Sequence, residues 1–228
     1  MHCVIVGFTK YSPRKPALWE YPNPKDEPRR IPVSIGINAY LLDAPKLLVT
    51  KRMKPLSPQL PRAYFGAKPT DGGNLIVEAD EYDTVAADPI AAKYLRPFRM
   101  GRELVQGLNR WCLWMAEDDF DPQDLSRSPI LRQRVEAVRE FRLQSTKKAT
   151  REAANTPYLF QEVRKNDTAY VGIPAVVAET RRYYTVQHLS PDVIAGNQLY
   201  TVVDPDGLLF GLISSSMFIA WQKQSVEE

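Results

Sequence analysis

Ser128-Pro129-Ile130-Leu131-Arg132-Gln133-Arg134-Val135-Glu136-Ala137-Val138-Arg139-Glu140-Phe141-Arg142 is the stretch that decides the fold class. Serine followed by proline starts a helix. The hydroxyl accepts from an orphan N–H of the first turn, and proline at the first helical position lacks only a donor that has no partner there. Ile130, Leu131, Val135, Val138 and Phe141 recur at helical spacing, so one stripe faces a core. Arg132, Arg139 and Arg142 fall largely off that stripe. The pattern carries this helix to about Ala154.

On the N-terminal side, Arg110-Trp111-Cys112-Leu113-Trp114-Met115 is bulky and almost continuously apolar, as a buried strand is. Glu78–Asp88 reads as an acidic helix, and Pro89 opens a second one reaching Tyr94. Asp71-Gly72-Gly73-Asn74 is a tight turn whose glycines are free to take positive φ. Val33–Leu42 and Lys46–Thr50 read as short strands turning at Asp43-Ala44-Pro45, and Pro55–Pro69 as loop. Lys10 to Pro32 holds Pro13, Pro16, Pro22, Pro24, Pro28 and Pro32, which makes it an extended, irregular connector. Before it, Val4–Phe8 reads as a short buried strand. One strand cannot form a sheet, so the expectation is that it belongs to a domain lying mostly upstream.

On the C-terminal side the pattern turns to β at Ala169–Ile173, Tyr183–Leu189 and Leu199–Val203. Asp204-Pro205-Asp206-Gly207 is a strong turn, and Leu208–Lys223 reads as a closing amphipathic helix. The expected class is α+β: small mixed or antiparallel sheets, a long central helix, a C-terminal helix, and two lobes. The expected organisation is a terminal strand over 1–10, a proline-rich connector over 11–32, and one domain over 33–228. A split of that domain into two lobes would fall near 125–155.

Composition removes several function classes. No apolar run approaches the roughly 20 residues a spanning helix needs, because Leu208–Trp221 is interrupted by Ser214, Ser215 and Ser216. The apolar start lacks the basic residues and cleavage site of a signal peptide. With two cysteines, Cys3 and Cys112, inside apolar runs, buried thiols in a reducing cytoplasm are expected. A structural zinc needs four paired nitrogen or sulfur ligands, and the chain has only His2, His188 and those two cysteines. His188 has no glycine-flanked nucleophile to serve. Glu117, Asp118, Asp119, Asp121 and Asp124 lack the spacing and central glycine of a calcium loop and read as an acidic stretch before a helix. Asn23-Pro24-Lys25-Asp26 has no aromatic platform for a flipped base, and there is no glycine-rich cofactor loop. A binding module, with no catalysis of its own, is what these absences imply.

Charge is unevenly spread. Residues 1–68 hold 12 Lys/Arg against 4 Asp/Glu, residues 69–124 hold 5 against 12, and residues 125–228 hold 13 against 11. Arg127 to Arg151 alone carries 8 basic residues and 2 acidic ones. Such excess marks a surface that meets phosphates, or simply a solvated face. The acidic middle allows an alternative reading, a protein-interaction module that docks on a basic partner.

Several segments together resemble one family. They include Asn38-Ala39-Tyr40-Leu41, Phe65-Gly66-Ala67-Lys68-Pro69-Thr70-Asp71-Gly72-Gly73-Asn74-Leu75, Asp88-Pro89-Ile90-Ala91-Ala92-Lys93-Tyr94-Leu95-Arg96-Pro97 and Arg110-Trp111-Cys112-Leu113-Trp114. Arg181-Arg182-Tyr183, Leu189-Ser190-Pro191-Asp192-Val193-Ile194 and Phe210-Gly211-Leu212-Ile213-Ser214-Ser215-Ser216-Met217 with Trp221 continue it in order. They resemble the C-terminal region of MmeI-like DNA N6-adenine methyltransferases, bacterial restriction–modification proteins, which contains the target recognition domain. The resemblance implies double-stranded DNA as partner and a cytoplasmic setting. It also implies a methyltransferase domain upstream in the same polypeptide, with His2–Phe8 as that domain's last strand. The catalytic and S-adenosylmethionine motifs would lie there, so no cofactor is expected in this chain and the chain alone should be inactive.

Such a domain holds the duplex by its phosphates and reads base edges. The reading candidates are Glu179, Arg181 and Arg182 in the segment Ala175–Tyr184, and Gln198 and Asp206 in the second stretch, Gln198 to Asp206. The backbone candidates are Lys51, Arg52, Lys54 and Lys68 around the proline-rich loop, and Arg132, Arg139, Arg142, Lys147 and Lys148 on the central helix. For each the competing use is a surface ion pair. Trp111, Trp114 and Trp221 read as core.

Overall fold

The computed structural model of the chain describes residues 4–8, 10, 15–23, 25–46, 48, 57–118 and 120–226, excluding the side chains of 224–226. The chain divides into two compact units, 1–54 with 222–228, and 55–221.

The first unit corrects two readings. Inside the expected connector, β1 (Leu18–Glu20) pairs antiparallel with β2 (Arg29–Ile31), and the Arg30 guanidinium lies 5.9 Å from the Trp19 ring centroid. The prolines bracket these strands instead of interrupting them, with Pro16 and Pro22 around one and Pro28 and Pro32 around the other. Conversely, Val33–Leu42 is no strand. The Asp43 carboxylate gathers the N–H groups of Ser34, Ile35 and Gly36 at 2.7, 2.7 and 2.9 Å, and Asn38 Oδ1 accepts from Tyr40 and Leu42. A side chain that satisfies consecutive backbone donors competes with a ladder, and here it wins. The three backbone bonds hold Asp43 below the usual carboxylate range. Lys46–Thr50 lies largely outside the described residues. Val4–Phe8 forms no strand among them, and its side chains are exposed.

The second unit holds two four-stranded sheets. One is built from β4 (Ile76–Val77), β5 (Leu95–Arg99), β6 (Trp111–Leu113) and β9 (Ile194–Ala195), in the order β4-β6-β5-β9, antiparallel except for β5 with β9. The other is fully antiparallel, built from β3 (Tyr64–Phe65), β7 (Tyr170–Pro174), β8 (Gln187–Leu189) and β10 (Leu199–Val203), in the order β3-β10-β7-β8. The expected strand Tyr183–Leu189 shortens to its last three residues, because Tyr184 packs into a core cluster before the pairing begins.

Short helices link the strands: α1 (Tyr82–Ala86), a 3₁₀ turn at Ala91–Tyr94, α2 (Gly101–Gln106) and α3 (Asp124–Arg127). The central helix α4 (Pro129–Leu143) starts as its sequence demands, with Ser128 Oγ accepting from the Leu131 N–H at 3.1 Å. Leu131, Val135 and Val138 pack against Tyr94, Phe98, Leu113 and Trp114 in the main core, each burial contributing about 1.5–3 kcal/mol. Phe141 ends the stripe 45% exposed.

The helix stops at Leu143, short of the expected Ala154, and α5 (Lys148–Glu152) is separate. Between them Ser145 Oγ accepts from the Lys147 N–H, the kind of local bond that ends a helix. The closing helix likewise divides into α6 (Leu208–Ile213) and α7 (Ser216–Val226). There Ser214 and Ser215 donate back to the Phe210 and Leu212 carbonyls. Ile213 and Ile219 pack these helices against Val171 and Val202 of the second sheet. Of the three tryptophans expected in the core, Trp114 is there and Trp111 is half-buried beside Tyr82. Trp221 is 54% exposed. No helix among the described residues is long and apolar enough to cross a membrane.

Candidate nucleic-acid interface

The two stretches expected to read bases meet at one end of the β7–β10 pair. Leu199 stands opposite Pro174, and just beyond them the Ala175 N–H donates to the Gln198 carbonyl at 2.9 Å. From there 175–184 runs as a loop. Its inner ends are Val177 and Tyr184, which pack with the second sheet and its helices. Between these anchors Glu179, Arg181 and Arg182 are exposed, on a turn closed by the Arg181 N–H to the Ala178 carbonyl at 3.0 Å. Arg181 Nη1 also donates to Thr185 Oγ1 at 3.1 Å, which orients its side chain. Gln198 is exposed beside this loop.

Asp206 does not join them. It follows the opposite end of β10, and Leu199 to Val203 alone spans about 14 Å at strand rise. Its Oδ1 accepts the Leu208 N–H at 3.1 Å, while Asp204 accepts from Leu209 and Phe210. Both carboxylates satisfy the first N–H groups of α6, so the use found for Asp206 is a helix start.

The backbone candidates separate into kinds. Lys51, Arg52 and Lys54 lie outside the described residues. Arg132 and Arg139 sit exposed on α4, two turns apart, Arg139 within 3.8 Å of Glu136. Lys148 is exposed and within 3.6 Å of Glu152. Lys68 and Lys147 line one cleft of about 500 Å³ between the 68–70 backbone and the α4–α5 junction.

Arg142 overturns its assignment. It is 0% exposed, and its guanidinium donates to five carbonyls: Thr70 (2.9 Å), Pro69 (2.9 Å), Ala153 (2.9 Å), Thr156 (3.2 Å) and Leu159 (2.7 Å). Burial pulls its pKa down, and the nearby Asp71 charge opposes that. A planar fork of five donors suits such a ring of acceptors better than any other side chain. Arg142 therefore clamps the loop before the Asp71 turn to the chain after α5. That clamp explains the residues around it. Thr70 is held at φ 44° and Gly72 at φ 64°, and a side chain at Gly72 would strike the Phe141 ring.

The acidic middle is mostly used internally. Among the described residues, eight carboxylates of this stretch have partners inside the fold: Asp71, Glu78, Glu81, Asp88, Glu103, Glu117, Asp121 and Asp124. Arg134, which sequence periodicity left unassigned, is one such partner. It bonds Glu81 and the carbonyls of Asn74 and Ile76, tying α4 to β4. Glu117 is held below the usual range by its bond to Lys165, then by Arg96. Cys112 is fully buried, and desolvation pushes its thiol well above the ordinary value, so it is an inert core residue. No group of three or more His, Cys, Asp or Glu side chains converges on a metal site among the described residues.

Thr70, Thr150 and Gln161 were missed as cleft residues, since each lies in a different segment. Only the polar run Ser145-Thr146-Lys147-Lys148-Ala149-Thr150 carries a local signal.

Comparison with known proteins gives this surface a family. The MmeI target recognition domain matches residues 43–225. DNA methyltransferase A of Bacillus subtilis (strain 168) is 31% identical over 189 residues, which are 82% of this chain and 21% of that protein. A solved structure of the Type IIL restriction-modification enzyme MmeI in complex with DNA superposes with a TM-score of 0.78 at 34% identity. That match covers 92% of this chain and 28% of the other. The chain thus spans less than a third of either relative. Since the match covers both sheets, the α4 clamp and the 175–184 loop in one run, this chain belongs to the MmeI target recognition domain family.

Proposed function

We propose that this chain is the sequence-specific double-stranded DNA recognition domain of a bacterial adenine-specific DNA methyltransferase of the restriction–modification class, working in the cytoplasm. One observation carries the reading most: the loop 175–184 and Gln198, from separate stretches, meet at one sheet end and present Glu179, Arg181 and Arg182 to solvent. Arginine reads guanine bidentately, glutamine reads adenine, and glutamate accepts from cytosine, so this set can distinguish base pairs in the major groove. Anchoring at Val177 and Tyr184 supplies the fixed geometry that a loop needs to do so.

Phosphate contacts come from Lys68, Arg132, Arg139, Lys147 and Lys148, with Lys51, Arg52 and Lys54 as further basic residues. The division of labour is 1–10 with an upstream methyltransferase domain, 11–32 as a connector that carries the β1–β2 hairpin, and 33–228 as reader. S-adenosylmethionine and the extruded adenine belong to the catalytic part of the longer protein. The relative solved with DNA supports this reading, and the internal use of the acidic middle disfavours a protein-docking role.

The test is duplex binding across ionic strength. Binding at about 50 mM salt should weaken steeply as salt rises, with a slope near −0.9 for each phosphate contacted. Absence of duplex binding at low salt, or a flat salt profile, would remove the proposal.

A further inference from the structure

We propose that the cleft between the 68–70 backbone and the α4–α5 junction is a phosphate-binding notch. Its DNA source rests on the function proposed above; its anion chemistry does not. Four side-chain polar atoms among the described residues are buried without a hydrogen-bond partner. Two of them, Thr70 Oγ1 and Gln161 Oε1, belong to residues lining this one cleft. Buried polar atoms are nearly always partnered by protein, water or ligand, so two orphans among the residues of one cleft are groups that an entering ligand can complete.

The charge is right for an anion. Lys68 and Lys147 line the cleft and no carboxylate does. Lys68 reaches Glu162 at only 3.9 Å between half-exposed groups, a weak pair that leaves its ammonium available. Hydroxyls complete the set. Thr150, 6% exposed, and Thr146 line the same cleft as Thr70. A hydroxyl can donate to a phosphate oxygen, and half a turn of the Gln161 amide places N–H donors where its oxygen stands.

The walls are also held in place. Arg142 bonds the Pro69 and Thr70 carbonyls on one side and the Ala153 and Thr156 carbonyls on the other, so the opening cannot spread without breaking that clamp. The arginine expected to touch phosphate directly instead fixes the cleft that would receive one. A cleft of about 500 Å³ accommodates a phosphate with its sugar.

The experiment uses the full chain and two probes, inorganic phosphate and duplex DNA of unrelated sequences. Lys147→Ala and Thr150→Val are compared with Thr150→Ser, which keeps the hydroxyl, and with Arg102→Ala, which removes one exposed charge elsewhere. Inorganic phosphate should shift the Lys147–Thr150 amide resonances saturably, and Lys147→Ala and Thr150→Val should abolish the shift while Thr150→Ser retains it. In duplex binding, Lys147→Ala should lower the salt slope by about 0.9 and weaken every sequence alike. Amides unmoved by phosphate, together with variants indistinguishable from Arg102→Ala on a duplex the parent chain binds steeply, would overturn the notch and leave DNA reading intact. Saturable phosphate binding lost in the variants, with no duplex bound at low salt, would keep the notch as a small-anion site and remove the DNA reading.

Discussion

Arg142 and the pair Arg181–Arg182 carry the same side chain into opposite circumstances. Arg142 leaves a regular helix and is swallowed whole, spending all its donors on carbonyls from three segments. Arg181 and Arg182 sit on a loop with little regular structure and face solvent. The comparison shows that a helical position does not by itself keep an arginine at the surface, since Arg142 is buried on α4 while Arg132 and Arg139 on the same helix are exposed. Arg142 finds its acceptors because the 69–70 backbone and the chain after α5 bring unmet carbonyls together beside the end of α4. On the anchored loop Arg181 meets the Thr185 hydroxyl, and both Arg181 and Arg182 stay exposed.

The comparison can be broken hardest at Arg142. Arg142→Ala strands five buried acceptors, and stability should fall by about 3 kcal/mol or more, with Arg132→Ala and Arg139→Ala within about 0.5 kcal/mol of the parent in denaturant melts. An Arg142→Ala protein as stable as Arg139→Ala would show that the clamp is incidental. Next in size, Arg181→Ala and Arg182→Ala should each cost about 1–3 kcal/mol of discrimination between related duplex sites while leaving the melt unchanged. Equal losses on every sequence would demote them from readers to phosphate contacts. The smallest expected effect is at Asp124, a buried carboxylate accepting from Tyr94 (2.8 Å), Lys93 (3.1 Å) and Arg127 (3.5 Å). The Tyr94 hydroxyl first, then Lys93, hold it below its ordinary value of 3.8. Its charged form is the stabilising one, so its contribution is complete above pH 3.8 and is lost as pH falls below that value. Asp124→Asn should flatten the stability profile in that acidic window and nowhere above it.

Much of the scaffold was legible in local residues. Ser128 capping α4, the strand at Leu199–Val203, and the buried run Cys112–Met115 all follow from patterns that tolerate little else. The same logic failed where side chains compete with backbone pairing: Asp43 folding 34–36 into a loop, Ser145 ending α4, and Ser214 and Ser215 dividing the last helix. Prolines misled in the other direction, because those around 18–31 flank a hairpin instead of preventing one. Within the site, 175–184 was visible as a polar segment after Pro174, and its meeting with Gln198 was not, since a strand register joins them.

By itself, then, the sequence determined which short segments could be helix or strand, and which family their order belongs to. Capping chemistry and periodicity are local, and a run of unusual strings keeps its order without reference to folding. Only the tertiary structure decided which cations face outward. Arg132 and Arg142 lie on one helix a few turns apart, yet one meets solvent and the other meets carbonyls supplied by 69–70, 153–156 and Leu159. A guanidinium goes inward only where enough acceptors converge to replace the water it loses, and that convergence is made by residues far apart in the chain.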